Sequence, residues 1–352
     1  MHKKFTVLNF RDFSWKSLLS AGIVLAVFAS CTEDTEAPVV IQDVDQKVEK
    51  LTLWKPSSGP VNILAKYDDD SAPMVNDRRA TQAGGPDRGR FNITLKFVTP
   101  VTQRQFQVFD DAAGRWEGII IGDVPSITTT LPSAFIGLPP VADGETIDDL
   151  IIEVALIPID GPGGTLGAAG PVFVRNVDNL PVSGVMFFDT DDLALLDFFD
   201  LFEEVIVHEM GHVLGVGTLW NVPAIRELRK FNPEGFPYFD GKMANTFWNA
   251  EGGLNFLPIE GDFGPGTQFS HWDEATLGNE LMTGFINLGV NPLSRITAGS
   301  VRDLGYTSAS RGERYDLPRN TPGITARTQG EGIDIAKGEV LLAPIGFVSN
   351  EN

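Results

Sequence analysis

Residues 208–215 read His-Glu-Met-Gly-His-Val-Leu-Gly. On an α-helix, positions i and i+4 share one face, a turn apart. His208 and His212 can therefore aim two imidazoles at one metal ion. Glu209 stands beside the ligands without being one of them, where its carboxylate can take a proton from a metal-activated water. That division of labour, two imidazoles and an adjacent base, is the arrangement for zinc-assisted hydrolysis. The same letters also fit a core helix that carries two histidines by coincidence, so the surroundings decide.

Catalytic zinc takes three protein ligands and keeps a further position for water. The chain has four histidines, His2, His208, His212 and His271. His2 lies in a segment expected to be removed, which leaves His271 to supply a third imidazole. It sits in Ser-His-Trp-Asp-Glu, eleven residues before Met282. A carboxylate could serve as third ligand instead, with Glu274 and Glu280 as candidates.

The elements that must position these groups are legible in part. From Leu201 to Leu214 the only glycine or proline is Gly211. Phe202, Ile206, Met210 and Val213 make an apolar stripe opposite the histidines, which predicts a helix. Asp200 and Glu203 resemble a capping box at its start, and Gly215 stands where a left-handed residue should end it.

The ordered set His208-Glu209-x-x-His212-x-x-Gly215, a distant His271 and then Met282 resembles the metzincin metallopeptidases. In most of them a third histidine follows the glycine by three residues; here that position is Thr218. A long insertion before the third histidine, here residues 216–270, resembles the leishmanolysin branch, and its bacterial members in particular. The matching stretches are residues 208–220, 266–285 and 291–306, within a likeness that covers roughly residues 88–308. The resemblance implies an α+β metzincin-like catalytic domain: a twisted mixed sheet, an active-site helix and a smaller C-terminal lobe. It implies a zinc endopeptidase acting on peptides or proteins, with His208, His212 and His271 on one Zn2+, Glu209 as general base and Met282 as the turn beneath the metal. Residues 160–171 resemble the substrate-binding edge of the family. Gly164, Thr165, Leu166, Gly167, Ala168 and Ala169 are thus expected to form an exposed edge strand that pairs antiparallel with substrate. One departure matters: the chain has one cysteine, Cys31. It can form no internal disulfide, and no cysteine that could hold the enzyme latent is identifiable.

Cys31 has its own context. Lys3, Lys4, Arg11 and Lys16 give a basic start, residues 18–29 are apolar apart from Ser20, and Phe28-Ala-Ser precedes the cysteine. This is a signal-peptide pattern that resembles a bacterial lipobox, with Cys31 as the acylated residue. The apolar run is short for a transmembrane helix. The expected product is exported to the cell envelope or surface and tethered to the membrane by lipid alone. The net charge is −20. Removing residues 1–30 takes away a net +3 and leaves −23, which argues against nucleic acid as a partner.

The expected organisation is a signal peptide over 1–30, a tether or pro-segment over 31–87, a catalytic domain over 88–308, and a tail over 309–352 that carries no recognised motif. Within the domain, strands are expected at 91–98, 118–122, 150–159 and 182–189, and helices at 102–116 and 294–304. Asp189, Asp191 and Asp192 are read as a turn that opens a helix, with calcium binding as the alternative. No internal repeat is present, and the sequence does not set an oligomeric state. The competing function is a surface lipoprotein whose metal site serves adhesion or ligand binding without catalysis. Glu209 argues against it, because a structural metal site has no use for that carboxylate.

Overall fold

The computed structural model describes residues 51–57, 59–67, 89–222, 226–264, 266–323 and 332–351. The expected signal peptide and Cys31 lie outside these residues. No helix among the described residues is long and apolar enough to cross a membrane.

The first half of the chain builds most of the sheet. Its strands are β1 (Val61–Tyr67), β2 (Ile93–Phe97), β3 (Ile127–Leu131), β4 (Ala142–Ile147), β5 (Leu150–Ile157), β6 (Gly167–Arg175) and β7 (Pro181–Asp189), with helix α1 (Gln103–Ile119) after β2. Two helices follow, α2 (Thr190–Phe198) and α3 (Phe202–Leu214). The insertion folds into short strands β8 (Asn221–Val222), β9 (Arg226–Glu227), β10 (Arg229–Phe231), β11 (Pro237–Phe239) and β12 (Leu257–Pro258), with α4 (Lys242–Glu251) between β11 and β12. After it come α5 (Glu274–Leu277), β13 (Phe285–Ile286), α6 (Arg295–Leu304), β14 (Ile333–Asp334), β15 (Glu339–Leu341) and β16 (Gly346–Asn350).

Among the described residues the main sheet has nine strands, in the order β2-β5-β7-β6-β16-β1-β3-β4, with β15 also paired to β6. It is mixed: β5 pairs parallel with β2 and β7, whereas β6 runs antiparallel to β7. Every side chain of β5 except Ile157 is buried, as a strand covered on both faces requires. Leu150, Ile152, Val154 and Leu156 face the core that holds α1 and α3, while Ile151 and Ala155 face a second core against β3 and β4. The sheet and α3 agree with the expected metzincin-like α+β architecture.

Helix α1 begins at a complete capping box. Thr102 Oγ1 accepts the Gln105 amide at 3.2 Å, and the Gln105 side chain accepts the Thr102 amide at 2.8 Å. This satisfies two of the amides a helix start leaves unpaired. Near its other end Trp116, fully buried, donates its indole N–H to Val207 O at 2.8 Å. That bond and the shared core fix α1 against α3.

Several sequence expectations are corrected. Residues 118–122 are not a strand: α1 runs to Ile119, and Ile120 makes only an isolated bridge to Ser308. The capping box at α3 does not form. Asp200 turns through φ 60° between α2 and α3, Leu201 takes the N-cap position, and Glu203 reaches Arg115 instead, at 3.4 Å. Residues 61–67, within the span read as a tether or pro-segment, form β1, which pairs with β16 and β3. The tail contributes β14, β15 and β16 to the fold. Asp189, by contrast, does open a helix: Oδ1 accepts the Asp191 and Asp192 amides at 2.8 and 3.3 Å.

Candidate metal and active site

Helix α3 carries the first two imidazoles on one face, and from Val205 to Leu214 it is buried all round. His208, Glu209 and His212 have no solvent exposure. The helix ends at Gly215, φ 107°, where the amide bonds back to Gly211 O and His212 O. The left-handed turn suits a residue without a Cβ. It brings Val216 O to 2.8 Å from His212 Nδ1.

The insertion then returns the chain to the helix. His271 arrives beside the pair, with Nδ1 3.0 Å from Thr267 O. His208 Nδ1 lies 2.7 Å from Leu281 O. Each Nδ1 thus faces a carbonyl, which only accepts, so each neutral ring carries its proton there and presents a bare Nε2. The three Nε2 atoms converge at 2.9 Å (His208–His212), 3.1 Å (His208–His271) and 3.1 Å (His212–His271). No hydrogen is left to share between them. Lone pairs gathered in this way fit a cation, and a tetrahedral zinc with bonds of 2.0–2.1 Å sets its nitrogens about 3.3 Å apart.

Burial keeps the rings neutral. It pushes His208 down to about 3, with His271 adding to the effect, and His271 down to about 4. His212 also falls well below the ordinary histidine value, through burial and the two neighbouring imidazoles. Neutral imidazole is the form that binds metal.

Of the two carboxylates weighed against His271, neither joins the cluster. Glu280 is buried and hydrogen-bonded to the turn around Met282. Glu274 is buried on α5, where its amide donates to Glu260. Met282 is fully buried and packs on Gly211, the residue between the two α3 histidines; a Cβ at Gly211 would sit 2.8 Å from Met282 Sδ and 2.8 Å from the Trp116 ring. Only glycine admits the sulfur so close to the helix.

A fourth group was not legible in the sequence. Glu339, at the start of β15, puts Oε1 3.0 Å from His212 Nε2 and Oε2 3.4 Å from His271 Nε2. With both imidazoles neutral these are not ion pairs, and a carboxyl gathered with bare imidazole nitrogens is a donor set that fits a cation. His208, His212, His271 and Glu339 form one buried cluster with ligand atoms within 4.8 Å of one another. Glu339 lies 68 residues beyond His271 and belongs to no motif. Long-range pairing of β15 with β6 and of β14 with β13 brings it here.

Glu209 lies against Glu339, and the two buried carboxyls share a side-chain hydrogen bond. Burial raises the Glu209 pKa well above the ordinary carboxylate value, and the nearby Glu339 charge raises it further. Glu339 is raised by burial too, with Asp334 adding to the shift.

The expected edge strand is placed differently from the sequence reading. Gly164 and Thr165 belong to a turn, and the strand starts at Gly167. Leu166, Gly167, Ala168 and Ala169 are buried, because β15 runs parallel along Gly167–Ala169. The edge is therefore not exposed in this structure. The turn before it is organised by the Asp189 carboxylate, whose Oδ2 accepts the Ile159, Asp160 and Gly161 amides at 2.5, 3.0 and 3.2 Å. Burial raises Asp189, but these amides outweigh it and hold the pKa below the usual range. The cluster is explained by the turn, and calcium gains no support.

Residues 129–313 match the family model for leishmanolysin. No curated protein matches the chain. The matched span covers more than half of the chain and contains α3, the insertion, His271 and Met282. The chain belongs to the leishmanolysin family and is a metallopeptidase of that family.

Proposed function

We propose that the chain is a zinc-dependent endopeptidase that hydrolyses peptide bonds with Glu209 as general base. One observation carries the reading: three bare imidazole nitrogens converge in the buried site that also holds the Glu209 carboxyl. His208, His212 and His271 hold the metal, and the carbonyls of Leu281, Val216 and Thr267 orient their rings. Zinc, when bound, polarises the scissile carbonyl and acidifies the attacking water. Glu209 accepts the water proton and passes it to the leaving amine. A carboxylate raised by burial suits both halves of that transfer, as acceptor and then as donor. Met282 closes the floor below the rings without ligating. Backbone groups of β6 hold the peptide by strand pairing once β15 has left that edge.

The test uses Glu209→Gln, which keeps the shape and cannot accept the proton. Metal content and melting temperature should stay at wild-type values while hydrolysis falls by roughly 10²–10⁴-fold. A casein digest with and without a chelator establishes the metal requirement. Peptidase activity of Glu209→Gln within about threefold of wild type removes Glu209 from the mechanism.

The same proposal places the enzyme on an envelope surface through an acylated Cys31. Cys31→Ser should release the protein to the soluble fraction or block its processing. Wild-type protein that is already soluble, with its N-terminus elsewhere, sinks the anchor.

A further inference from the structure

Residues 333–342 cross the site from one wall to the other. β14 pairs antiparallel with β13, so Ile333 lies opposite Ile286 and Asp334 opposite Phe285, close beyond Met282. Ile335 and Ala336 are buried, and Ala336 O lies where Gly266, at φ 96°, would carry a Cβ. On the far wall Gly338 O accepts the Leu166 amide at 2.8 Å, and β15 continues as Glu339 against Gly167, Val340 against Ala168 and Leu341 against Ala169. The Leu342 amide then donates to Ala169 O at 2.9 Å. At the start of the second ladder the Glu339 carboxylate turns onto the imidazole cluster. Beneath this crossing Glu209 and all three histidines have no solvent exposure.

A metallopeptidase needs two things free: a metal position for water or the scissile carbonyl, and strand-edge groups for the peptide backbone. We propose that residues 333–342 are an internal plug that holds the enzyme latent. The Glu339 carboxylate fills the metal position beside the three imidazoles, and β15 takes the β6 groups that a peptide would use. The plug presents a carboxylate to the metal, not a peptide bond, so it occupies the site without being cut there. Its ladders are two and three residues long, whereas β16 is paired on both sides, to β6 and β1. The plug can lift while β16 stays in the sheet. This rests on the metallopeptidase reading above and assigns the missing latency device to a carboxylate near the C-terminus.

The test uses the full chain loaded with Co2+ or Zn2+, as wild type, Glu339→Ala and Glu339→Gln. Three quantities are read: the visible absorption of the cobalt form, the half-time of zinc transfer to a chelator, and hydrolysis of a quenched fluorescent peptide. A tethered competitor acts at an effective concentration of order millimolar, so removing its ligand should raise kcat/KM by about tenfold or more. Zinc transfer should quicken by a similar factor, and the cobalt spectrum should change as a carboxylate ligand is lost. Glu339→Gln, close in shape, covers the case in which Glu339→Ala fails to fold, and should move all three readouts in the same direction. Metal bound with an unchanged cobalt spectrum overturns the plug, as does a changed spectrum with no gain in hydrolysis. Wild-type chain that binds no stoichiometric metal overturns the metallopeptidase reading itself, a separate failure.

Discussion

Glu280 Oε2 accepts the Met282 amide at 2.7 Å, while its Oε1 accepts the Ser294 and Thr297 hydroxyls, both at 2.6 Å, and the Ser294 amide at 3.1 Å. One buried carboxylate thus ties the turn at Met282 to the start of α6. Between Glu280 and Met282 stands Leu281, whose carbonyl orients His208. Burial pushes the Glu280 pKa up even against these four bonds. Glu280→Leu leaves four buried donors without an acceptor. It should cost about 3 kcal/mol or more in denaturant unfolding, and weaken zinc binding by roughly 10–100-fold through the loosened His208. Zinc affinity equal to wild type would show that the turn is held by other contacts.

His271 and His212 should be equivalent as ligands, although 59 residues separate them. His271→Ala and His212→Ala are each expected to abolish stoichiometric zinc at micromolar metal, measured by elemental analysis after gel filtration. Retention of one zinc by His271→Ala would mean that three ligands suffice without it, with Glu339 among them.

Gly211 is where helix α3 meets Met282 and Trp116. Gly211→Ala drives a methyl into Met282 and Trp116 and should cost about 1–3 kcal/mol of stability, the usual range for overpacking. Met282→Leu roughly conserves volume and should cost under about 1.5 kcal/mol. A Gly211→Ala protein as stable and active as wild type would refute the close packing of sulfur on the helix.

Acid should remove zinc and tertiary structure together. Histidine has an unfolded value of 6.5, and burial lowers His208 to about 3 and His271 to about 4. The unfolded chain therefore binds protons that the folded chain refuses. These groups contribute stability above pH 6.5, and it is lost as pH falls from 6.5 towards 4 and 3. Glu209 and Glu339, raised in the fold, act in the opposite sense. Their contribution is present at low pH and lost as pH rises through their folded values, so it softens the acid transition. An acid titration that follows zinc release and near-ultraviolet dichroism together should show coincident curves. Zinc that leaves near pH 6.5 from a folded chain would mean that the imidazoles titrate as exposed groups.

Part of this was readable from the sequence, for definable reasons. The α3 pattern is local: i, i+4 spacing puts His208 and His212 on one face, and Gly215 marks the end by backbone freedom alone. The scarcity of histidine then left His271 as the third imidazole. The reading failed where long-range pairing decides. Residues 118–122 have strand-like composition, but α1 runs on to Ile119 because Trp116 and Ile119 are buried in its core. Asp200 and Glu203 have the letters of a capping box, yet Arg115 on another helix offers Glu203 a charged partner. Gly164–Ala169 has the small residues of an approachable edge, and nothing local tells that residues 339–341 are what approaches it. Glu339 is the extreme case, because a lone glutamate among polar neighbours has no periodicity to read.

The place of β16 sets an order of events. Tyr67 donates its hydroxyl proton to Val348 O at 2.9 Å across 281 residues of chain, and β16 is the strand that joins β6 to β1. Pairing at such separation must await loop closure and is slow to form. Until residues 346–350 have been synthesised, β6 and β1 have no strand to join them. A nascent chain therefore cannot join the two parts of the sheet beneath α3 before those residues have been made. Because β15 precedes β16, the strand that carries Glu339 emerges before the one that completes the sheet.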